Sequence, residues 1–189
     1  MRKIPCLFKR DFSVAPPKLL NQVNDGCEWV LRDEGTATRK WDGTPIRILN
    51  GKAFKRFDCK KGKTPPPNFE PCCEPDAVTG HWPGWIPIEN FPDDKWMMEA
   101  IGNSQPSDDG TYEAIGPKIG GNHEKADRHV LHKHGDVVLS LPARTFEGLR
   151  QYLHDNVIEG VVFHHPDGRM AKIRRDDYSF EWPGTAQEE

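Results

Sequence analysis

Residues 44–57 read TPIRILNGKAFKRF, and this stretch gives the clearest prediction of local structure in the chain. Two strand-like runs flank Asn50-Gly51, which is the strongest short-range signal for a two-residue hairpin because both turn residues must adopt positive φ. Side chains alternate between the two faces of each strand. The stretch therefore predicts an antiparallel hairpin with Arg47 and Arg56 on one face.

A second hairpin is predicted near the end of the sequence, where Val157–His164 and Arg169–Arg175 flank the turn Pro166-Asp167-Gly168. With a two- or four-residue loop, the numbers of opposite residues sum to 333, and Glu159 lies on the same face as Lys172. A loop of three residues would break this register.

The remaining segments give weaker signals. They predict a short helix within 16–34 that Asp25-Gly26 interrupts, strands over Trp96–Ile101 and Thr111–Ile115, a helix over Thr145–His154, and an ordered, irregular excursion over 62–92 that packs Phe69, Trp82, Trp85 and Phe91. Many short strands without βαβ alternation predict an α+β fold with antiparallel sheets.

Length and composition set the broad class. The 189 residues fit a single domain over 1–189, and 10 % aromatic residues argue against disorder although only 35 % are apolar. No apolar run approaches the ~20 residues of a membrane span, and the first residues do not form a secretory signal. Five cysteines without a framework spacing fit free thiols in a reducing cytosol. We expect a cytoplasmic protein with no membrane partner.

Charge is unevenly distributed along a chain whose formal charge is −3. Nine residues from Arg39 to Lys63 are Lys or Arg and two are Asp, whereas ten from Glu70 to Glu113 are acidic and one is Lys. A second basic cluster lies between Arg169 and Arg175. The two basic stretches could line one groove for a polyanion, or each could be a solvated face.

Four segments carry the chemistry, and their order and spacing are specific in combination. They are Lys40-Trp41-Asp42-Gly43, Thr111-Tyr112-Glu113-Ala114-Ile115-Gly116, Ile158-Glu159-Gly160-Val161-Val162 and Ala171-Lys172-Ile173-Arg174. Over about 36–175 the chain resembles the covalent nucleotidyltransferases, a superfamily that includes ATP-dependent RNA and DNA ligases and mRNA capping enzymes.

Two further stretches make the chain most similar to the short stand-alone RNA ligases. These are residues 56–60, RFDCK, and residues 110–117, GTYEAIGP, with Gly121-Asn122 behind them. The chain departs from larger members because few residues follow Arg175, so we expect no appended OB-fold. It also carries Arg174 where many relatives have a second Lys.

The resemblance implies a role for each matching residue. Lys40 would form the lysyl-AMP phosphoramidate, and Asp42 would act near the nucleophile and the ribose in later steps. Glu159 would bind Mg²⁺, or alternatively Mn²⁺, and Lys172 would hold the α-phosphate of ATP. The other implied contacts are Arg56 with the sugar or the strand end, Glu113 with the ribose hydroxyls, Val162 with adenine, and Arg174 near the phosphate.

Elementary chemistry is consistent with these roles. A lysine amine attacks phosphorus only when neutral, and its reference pKa of ~10.4 must fall by ~3 units to reach 7–8. Nearby cations supply such a shift, and Arg39, Lys172, Arg174 and a bound Mg²⁺ are candidates. Gly43 lets the backbone approach a phosphate, and Glu159 offers the hard oxygen that Mg²⁺ prefers.

Several alternatives stay open at this stage. Glu99 lies in the same local sequence as Glu113 and is interpreted as a structural carboxylate, while Trp82 and Trp85 could stack bases or pack internally. Three histidines, His129, His132 and His134, could contain the residue that stacks on adenine, and a zinc site of Cys59, Cys72, Cys73 and His81 has poor spacing.

The resemblance implies an ATP-dependent RNA ligase that joins 5′-phosphate and 3′-hydroxyl RNA ends. Its motifs do not separate ATP from GTP. A capping-type guanylyltransferase, a minimal DNA ligase and an inactive nucleic-acid-binding module are the alternatives.

Overall fold

Eleven β-strands build three sheets in the computed structural model, which describes residues 3–77, 79–89 and 92–182. The strands are β1 (Phe8–Asp11), β2 (Lys18–Val23), β3 (Thr36–Lys40), β4 (Thr44–Leu49), β5 (Lys52–Cys59), β6 (Glu70–Pro71), β7 (Trp82–Pro87), β8 (Gly110–Ile115), β9 (Val130–Lys133), β10 (Gly160–His164) and β11 (Met170–Arg174). The helices are α1 (Lys95–Ser104) and α2 (Phe146–Asp155), with 3₁₀ turns at Glu28–Arg32, Pro92–Asp94, Gly120–Asn122 and Arg175–Tyr178. All of these strands pair antiparallel, as the sequence predicts.

The chain forms two compact units. Residues 42–134 with Lys3 form one, which we call the central unit, and residues 4–41 and 135–182 form the other, which we call the terminal unit. The expectation of a single functional domain over 1–189 stays a prediction.

The central unit is built on a six-stranded sheet of order β6-β7-β5-β4-β8-β9. Its hairpin matches the prediction, since Leu49 pairs with Lys52 and both Asn50 and Gly51 have positive φ. One apolar cluster packs this sheet against α1, where Ile46 and Ala114 of the strands meet Met97 and Ala100 of the helix.

The terminal unit is built on a three-stranded sheet of order β11-β10-β3. One face of this sheet is largely buried, because Val161, Phe163, Ala171 and Ile173 have no exposed surface. Leu149 and Leu153 of α2 pack in the same cluster, with the β1–β2 hairpin and Trp29. The predicted helix over 145–154 is confirmed, and the Thr145 hydroxyl caps it by accepting the Gly148 N–H at 3.1 Å.

Two predicted elements are wrong. The helix within 16–34 is instead the strand β2 followed by a 3₁₀ turn, because β1 offers a hydrogen-bonding partner and the Asn24 amide donates to the carbonyls of Cys6 and Phe8. The strand over 96–101 is instead part of α1, because helical spacing buries both Met97 and Ala100.

The register of the second hairpin is also wrong by one residue. Opposite residues sum to 334, as in Val162 with Lys172 and Gly160 with Arg174. The loop holds three residues, since the His165 N–H donates to the Arg169 carbonyl at 2.9 Å on either side of residues 166–168. A shift of one residue moves every side chain to the other face, so Lys172 shares its face with Val162.

The excursion over 62–92 is more regular than expected, because it contains β6 and β7. Phe69 meets Phe57 and Trp82 edge to face, with ring centroids 6.1 and 5.2 Å apart, and Trp85 is 2 % exposed. Packing therefore accounts for these rings, while Phe91 lies outside the described residues.

Candidate active site

Lys40 ends β3 in a row of three residues that crosses the terminal sheet. The row runs from Lys40 through Gly160 to Arg174. A Cβ atom at residue 160 would lie 2.3 Å from the Ile173 carbonyl oxygen, so this position accepts only glycine at the present strand spacing. No side chain therefore stands in the row between Lys40 and Arg174.

Glu159 directly precedes β10 and pairs with Lys40, with Nζ and Oε2 2.5 Å apart. The Arg175 N–H donates to the Glu159 carbonyl at 2.7 Å and fixes this start of the strand. Both side chains are largely buried, being 24 % and 14 % exposed. The Coulombic attraction between the two charges is stronger in such partly buried positions than at the surface.

Lys172 lies in the next row of the same sheet, opposite Val162, which in turn pairs with Thr38. Burial lowers the pKa of Lys172, and the positive charges of Lys40 and Arg174 lower it further. The structure thus brings Lys40, Glu159, Lys172 and Arg174 together, although the predicted hairpin register is not the reason.

Arg174 is held by two carboxylates that follow it in the chain. Its Nε lies 3.2 Å from Asp176 Oδ1 and its Nη2 lies 3.4 Å from Asp177 Oδ1. Burial opposes the charged form of Arg174, but Asp177 and Asp176 outweigh this effect and raise its pKa. Arg10 of β1 also pairs with Asp177, whose side chain is 1 % exposed. Sequence reasoning missed Asp177 and Arg10, which have no motif to mark them.

Arg39 does not join this cluster. Strand alternation places it on the face opposite Lys40, where its guanidinium lies 3.8 Å from the Trp41 ring centroid and near Tyr152 of α2. The prediction that Arg39 is one of the cations beside the Lys40 amine is therefore wrong.

Asp42 belongs to the central unit, as does Gly43. The Asp42 carboxylate bonds His123, with Oδ2 2.6 Å from Nδ1, and its backbone N–H donates to Glu124 Oε1 at 2.9 Å. A Cβ atom at Gly43 would lie 2.1 Å from the Ala114 carbonyl oxygen, so the backbone after Lys40 runs directly against β8. Sequence reasoning missed His123 and Glu124.

Glu113 is nearly buried on β8 and bonds His134, with Oε2 2.8 Å from Nε2. His132 of β9 is its cross-strand partner. Glu99, the rival carboxylate, instead lies on α1 and bonds the buried His129, which stacks on Trp96. The two similar segments therefore have different structural settings, and only Glu113 lies on a strand.

Arg47 and Arg56 both reach the ring of Trp85, with guanidinium carbons 5.4 and 6.0 Å from its centroid, as their predicted common face requires. Arg47 also lies over Phe54 and pairs with Glu70. Its side chain is thus already engaged in packing and in an ion pair.

Glu159 fits a magnesium ion by the chemistry of its donor, since Mg²⁺ commonly binds through one or two carboxylates together with substrate phosphates. Among the described residues, no group of three or more His, Cys, Asp or Glu side chains could hold a metal ion by itself. In the region proposed for zinc, the Cys59 thiol instead donates to the Lys63 carbonyl at 3.2 Å, and His81 bonds Asp58.

Comparisons with known proteins give one consistent name. The chain is 30 % identical over 139 residues to RNA ligase 1 of Mus musculus, covering 55 % of this chain and 42 % of the relative. RNA ligase 1 of Pongo abelii is 27 % identical over 140 residues and that of Danio rerio 25 % over 138 residues, with the same coverage. The chain thus spans less than half the length of these relatives. No family model matches the chain.

In the parts of the chain that the structure describes, no helix has the length and apolar character needed to cross a bilayer.

Proposed function

We propose that the chain is an ATP-dependent RNA ligase of the nucleotidyltransferase type, with Lys40 as its nucleophile. The observation that carries the proposal is the cluster on one sheet of the terminal unit, where Lys40, Glu159, Lys172 and Arg174 come from three different strands or their ends. The similarity to proteins named RNA ligase 1 supports a ligase that acts on RNA.

In the first step Lys40 attacks ATP as the neutral amine. Its Nζ forms a bond to the α-phosphorus, the bond between the α- and β-phosphates breaks, pyrophosphate leaves with the electron pair, and the nitrogen releases a proton. Lys172 and Arg174 lie on the face of Lys40, so they supply positive charge where the phosphates carry negative charge. Val162 lies opposite Lys172, and its proposed contact with the base rests on the resemblance.

The later steps transfer AMP and seal the strand. An oxygen of the RNA 5′-phosphate attacks the lysyl-AMP phosphorus, and Lys40 leaves and takes up a proton. The 3′-oxygen of the second strand then forms a bond to the 5′-phosphorus, AMP leaves with the electron pair, and the hydroxyl proton passes to Asp42. The proposed contacts of Arg56 and Glu113 with strand end and ribose rest on the resemblance.

Glu159 would hold the magnesium ion. When bound, Mg²⁺ neutralises phosphate charge and favours departure of pyrophosphate. Glu159 pairs with Lys40 in the structure, so the carboxylate that would hold the ion lies directly beside the Lys40 amine.

The decisive experiment is incubation with each α-labelled NTP and Mg²⁺, followed by denaturing electrophoresis. The wild-type protein is expected to gain covalent AMP, Lys40→Ala to gain none, and Glu159→Ala to gain much less. Lys9→Ala is a matched control, because Lys9 also belongs to the terminal unit and pairs with a carboxylate, Asp25, at 3.2 Å. A covalent label on Lys40→Ala would show that the nucleophile is another residue.

The same preparation separates the alternative functions. Sealing is compared on 5′-phosphorylated RNA and DNA of one sequence, with ATP and Mg²⁺. Preferred sealing of RNA is expected. Equal or better sealing of DNA would identify a DNA ligase, transfer of GMP to a diphosphate end without joining would identify a capping enzyme, and no transfer at all would leave a binding module.

A further inference from the structure

Asp42 is held at two points by one loop of the central unit. His123 bonds its carboxylate, with Nδ1 2.6 Å from Oδ2, and Glu124 accepts its backbone N–H at 2.9 Å. Two consecutive residues of the loop thus fix both the side chain and the main chain at residue 42. The His123 and Asp42 side chains are 31 % and 27 % exposed, so the bond is only partly screened by water.

The backbone of the loop is shaped for this contact. Three consecutive residues, Gly120, Gly121 and Asn122, have positive φ of 56°, 71° and 54°, which two glycines and an asparagine adopt most readily. A Cβ atom at Gly121 would lie 3.2 Å from His123 Nε2, and one at Gly120 would lie 3.5 Å from Gly43 Cα. Glycine at residue 121 therefore lets the loop pass close to the imidazole, whereas at residue 120 it is the positive φ that favours glycine.

Asn122 fastens the loop from inside. Its Oδ1 accepts the Ala126 N–H at 2.9 Å, and its Nδ2 donates to the Ala126 carbonyl at 3.2 Å. His123 and Glu124 therefore lie in a turn whose two ends, Asn122 and Ala126, are joined by hydrogen bonds. Such a turn holds its side chains in place before a substrate arrives, which is the requirement for positioning catalytic groups.

We propose that His123 is a positioning residue for Asp42 in the sealing step, an inference that rests on the proposed ligase function. Its Nδ1–H donates to Asp42 Oδ2, which fixes the rotation of the carboxylate. A carboxylate has two oxygens, so the second can receive the proton of the 3′-hydroxyl. The self-adenylylation of Lys40 does not require that proton transfer.

The experiment measures the two reactions separately on the full chain. Self-adenylylation is measured with ATP and Mg²⁺, and sealing is measured with a chemically pre-adenylylated 5′-RNA strand and a 3′-hydroxyl acceptor. His123→Ala is expected to lower the sealing rate about 10- to 100-fold, because small displacements of a catalytic group are that costly, and to leave self-adenylylation close to wild type. His154→Ala is the matched control, since it removes an exposed histidine–aspartate pair, with Asp155, from α2.

Two substitutions of His123 distinguish the effect of its hydrogen bond to Asp42 from the effect of its packing. Asn places an amide N–H near the position of the imidazole Nδ1, whereas Gln places it near Nε2. His123→Asn is therefore expected to recover sealing and His123→Gln to recover less. If His123→Ala does not fold, this pair of variants alone decides the matter.

A double-mutant cycle tests whether His123 acts through Asp42. In the Asp42→Ala background the His123→Ala substitution should lower the sealing rate no further, since the group it positions is gone. Sealing by His123→Ala at the wild-type rate, equal losses in the Asn and Gln variants, or additive losses in the cycle would each overturn the inference. A wild-type chain that seals nothing at all would instead refute the proposed function itself.

Discussion

Lys172→Met is expected to lower activity and preserve or raise stability, because the lysine charge is costly to the fold and useful to the reaction. The substitution keeps most of the side-chain volume and removes the ammonium group. Burial, Lys40 and Arg174 together lower the pKa of Lys172 in the folded chain. The folded state thus holds this cation at a disadvantage that the unfolded chain does not have.

The sign of the stability effect follows from proton binding. Between the lowered folded pKa and the ordinary unfolded pKa, the unfolded chain binds more protons, so the free energy of unfolding rises with pH through that window. At a pH below the folded pKa, the full cost of the buried ammonium is present. Lys172→Met removes this cost, so the free energy of unfolding measured there should be unchanged or higher.

The activity should change in the opposite direction. Removal of one group that stabilises transition-state charge typically costs ~10²–10³ in rate, or about 2.7–4 kcal/mol. We expect the upper end of that range, because the neighbouring Arg174 is engaged by Asp176 and Asp177 and cannot easily replace the lost charge.

The assay is single-turnover self-adenylylation at saturating ATP and Mg²⁺, with urea unfolding of the same preparation. The control is Lys9→Met, which removes a lysine of the same unit that forms an ion pair with the exposed Asp25. The reasoning is refuted if Lys172→Met forms lysyl-AMP at the wild-type rate. It is equally refuted if the substitution destabilises the chain by the ~2–5 kcal/mol of a core truncation, because the buried charge would then not be a cost.

Two further predictions concern packing and RNA contact. Gly160→Ala should destabilise the chain by about 1–3 kcal/mol in urea unfolding, because the new Cβ would lie 2.3 Å from the Ile173 carbonyl oxygen. The control is Gly102→Ala in α1, which has open space around its Cβ and should raise stability by up to about 1 kcal/mol. Unchanged stability of Gly160→Ala would contradict the argument from strand spacing. Arg56→Ala should reduce the slope of log binding constant against log salt concentration for single-stranded RNA by ~0.7, because one phosphate contact is lost. Arg47→Ala breaks the pair with Glu70 and should mainly lower the free energy of unfolding. An unchanged slope for Arg56→Ala would show that Arg56 does not contact the RNA.

The parts of the fold that the sequence predicts well are those set by local chemistry. Asn50-Gly51 specifies its turn because both residues must take positive φ, and Thr145 marks the start of α2 because its hydroxyl caps the helix. The segment 16–34 fails for the converse reason. Its apolar residues fit a helix locally, and the strand becomes preferable only because β1 pairs with it, a partner that the pattern within 16–34 does not reveal.

The residues of the candidate site likewise fall into those that motifs predict and those that only the structure reveals. Lys40, Glu159 and Lys172 follow from motifs, and the structure brings them together, but their relation depends on a register that one additional loop residue shifts. Asp177 could not be found, because its importance arises from contacts with Arg10 and Arg174 across the fold. His123 likewise gains its meaning only from the turn that carries it to Asp42.

The division of the chain into units has a consequence for its synthesis. Residues 42–134, which with Lys3 form one unit, are continuous in the sequence, and such units generally fold as the chain is synthesised. The strand that ends in Lys40 must wait, because its ion-pair partner Glu159 lies 119 residues further along. At the usual ~5–20 residues per second, translation of that interval takes roughly 6–24 s. A chain whose translation stops before residue 159 would contain the central unit and Lys40 but would lack Glu159 and Lys172. Under the proposed function, such a chain would lack the partners that Lys40 needs for self-adenylylation.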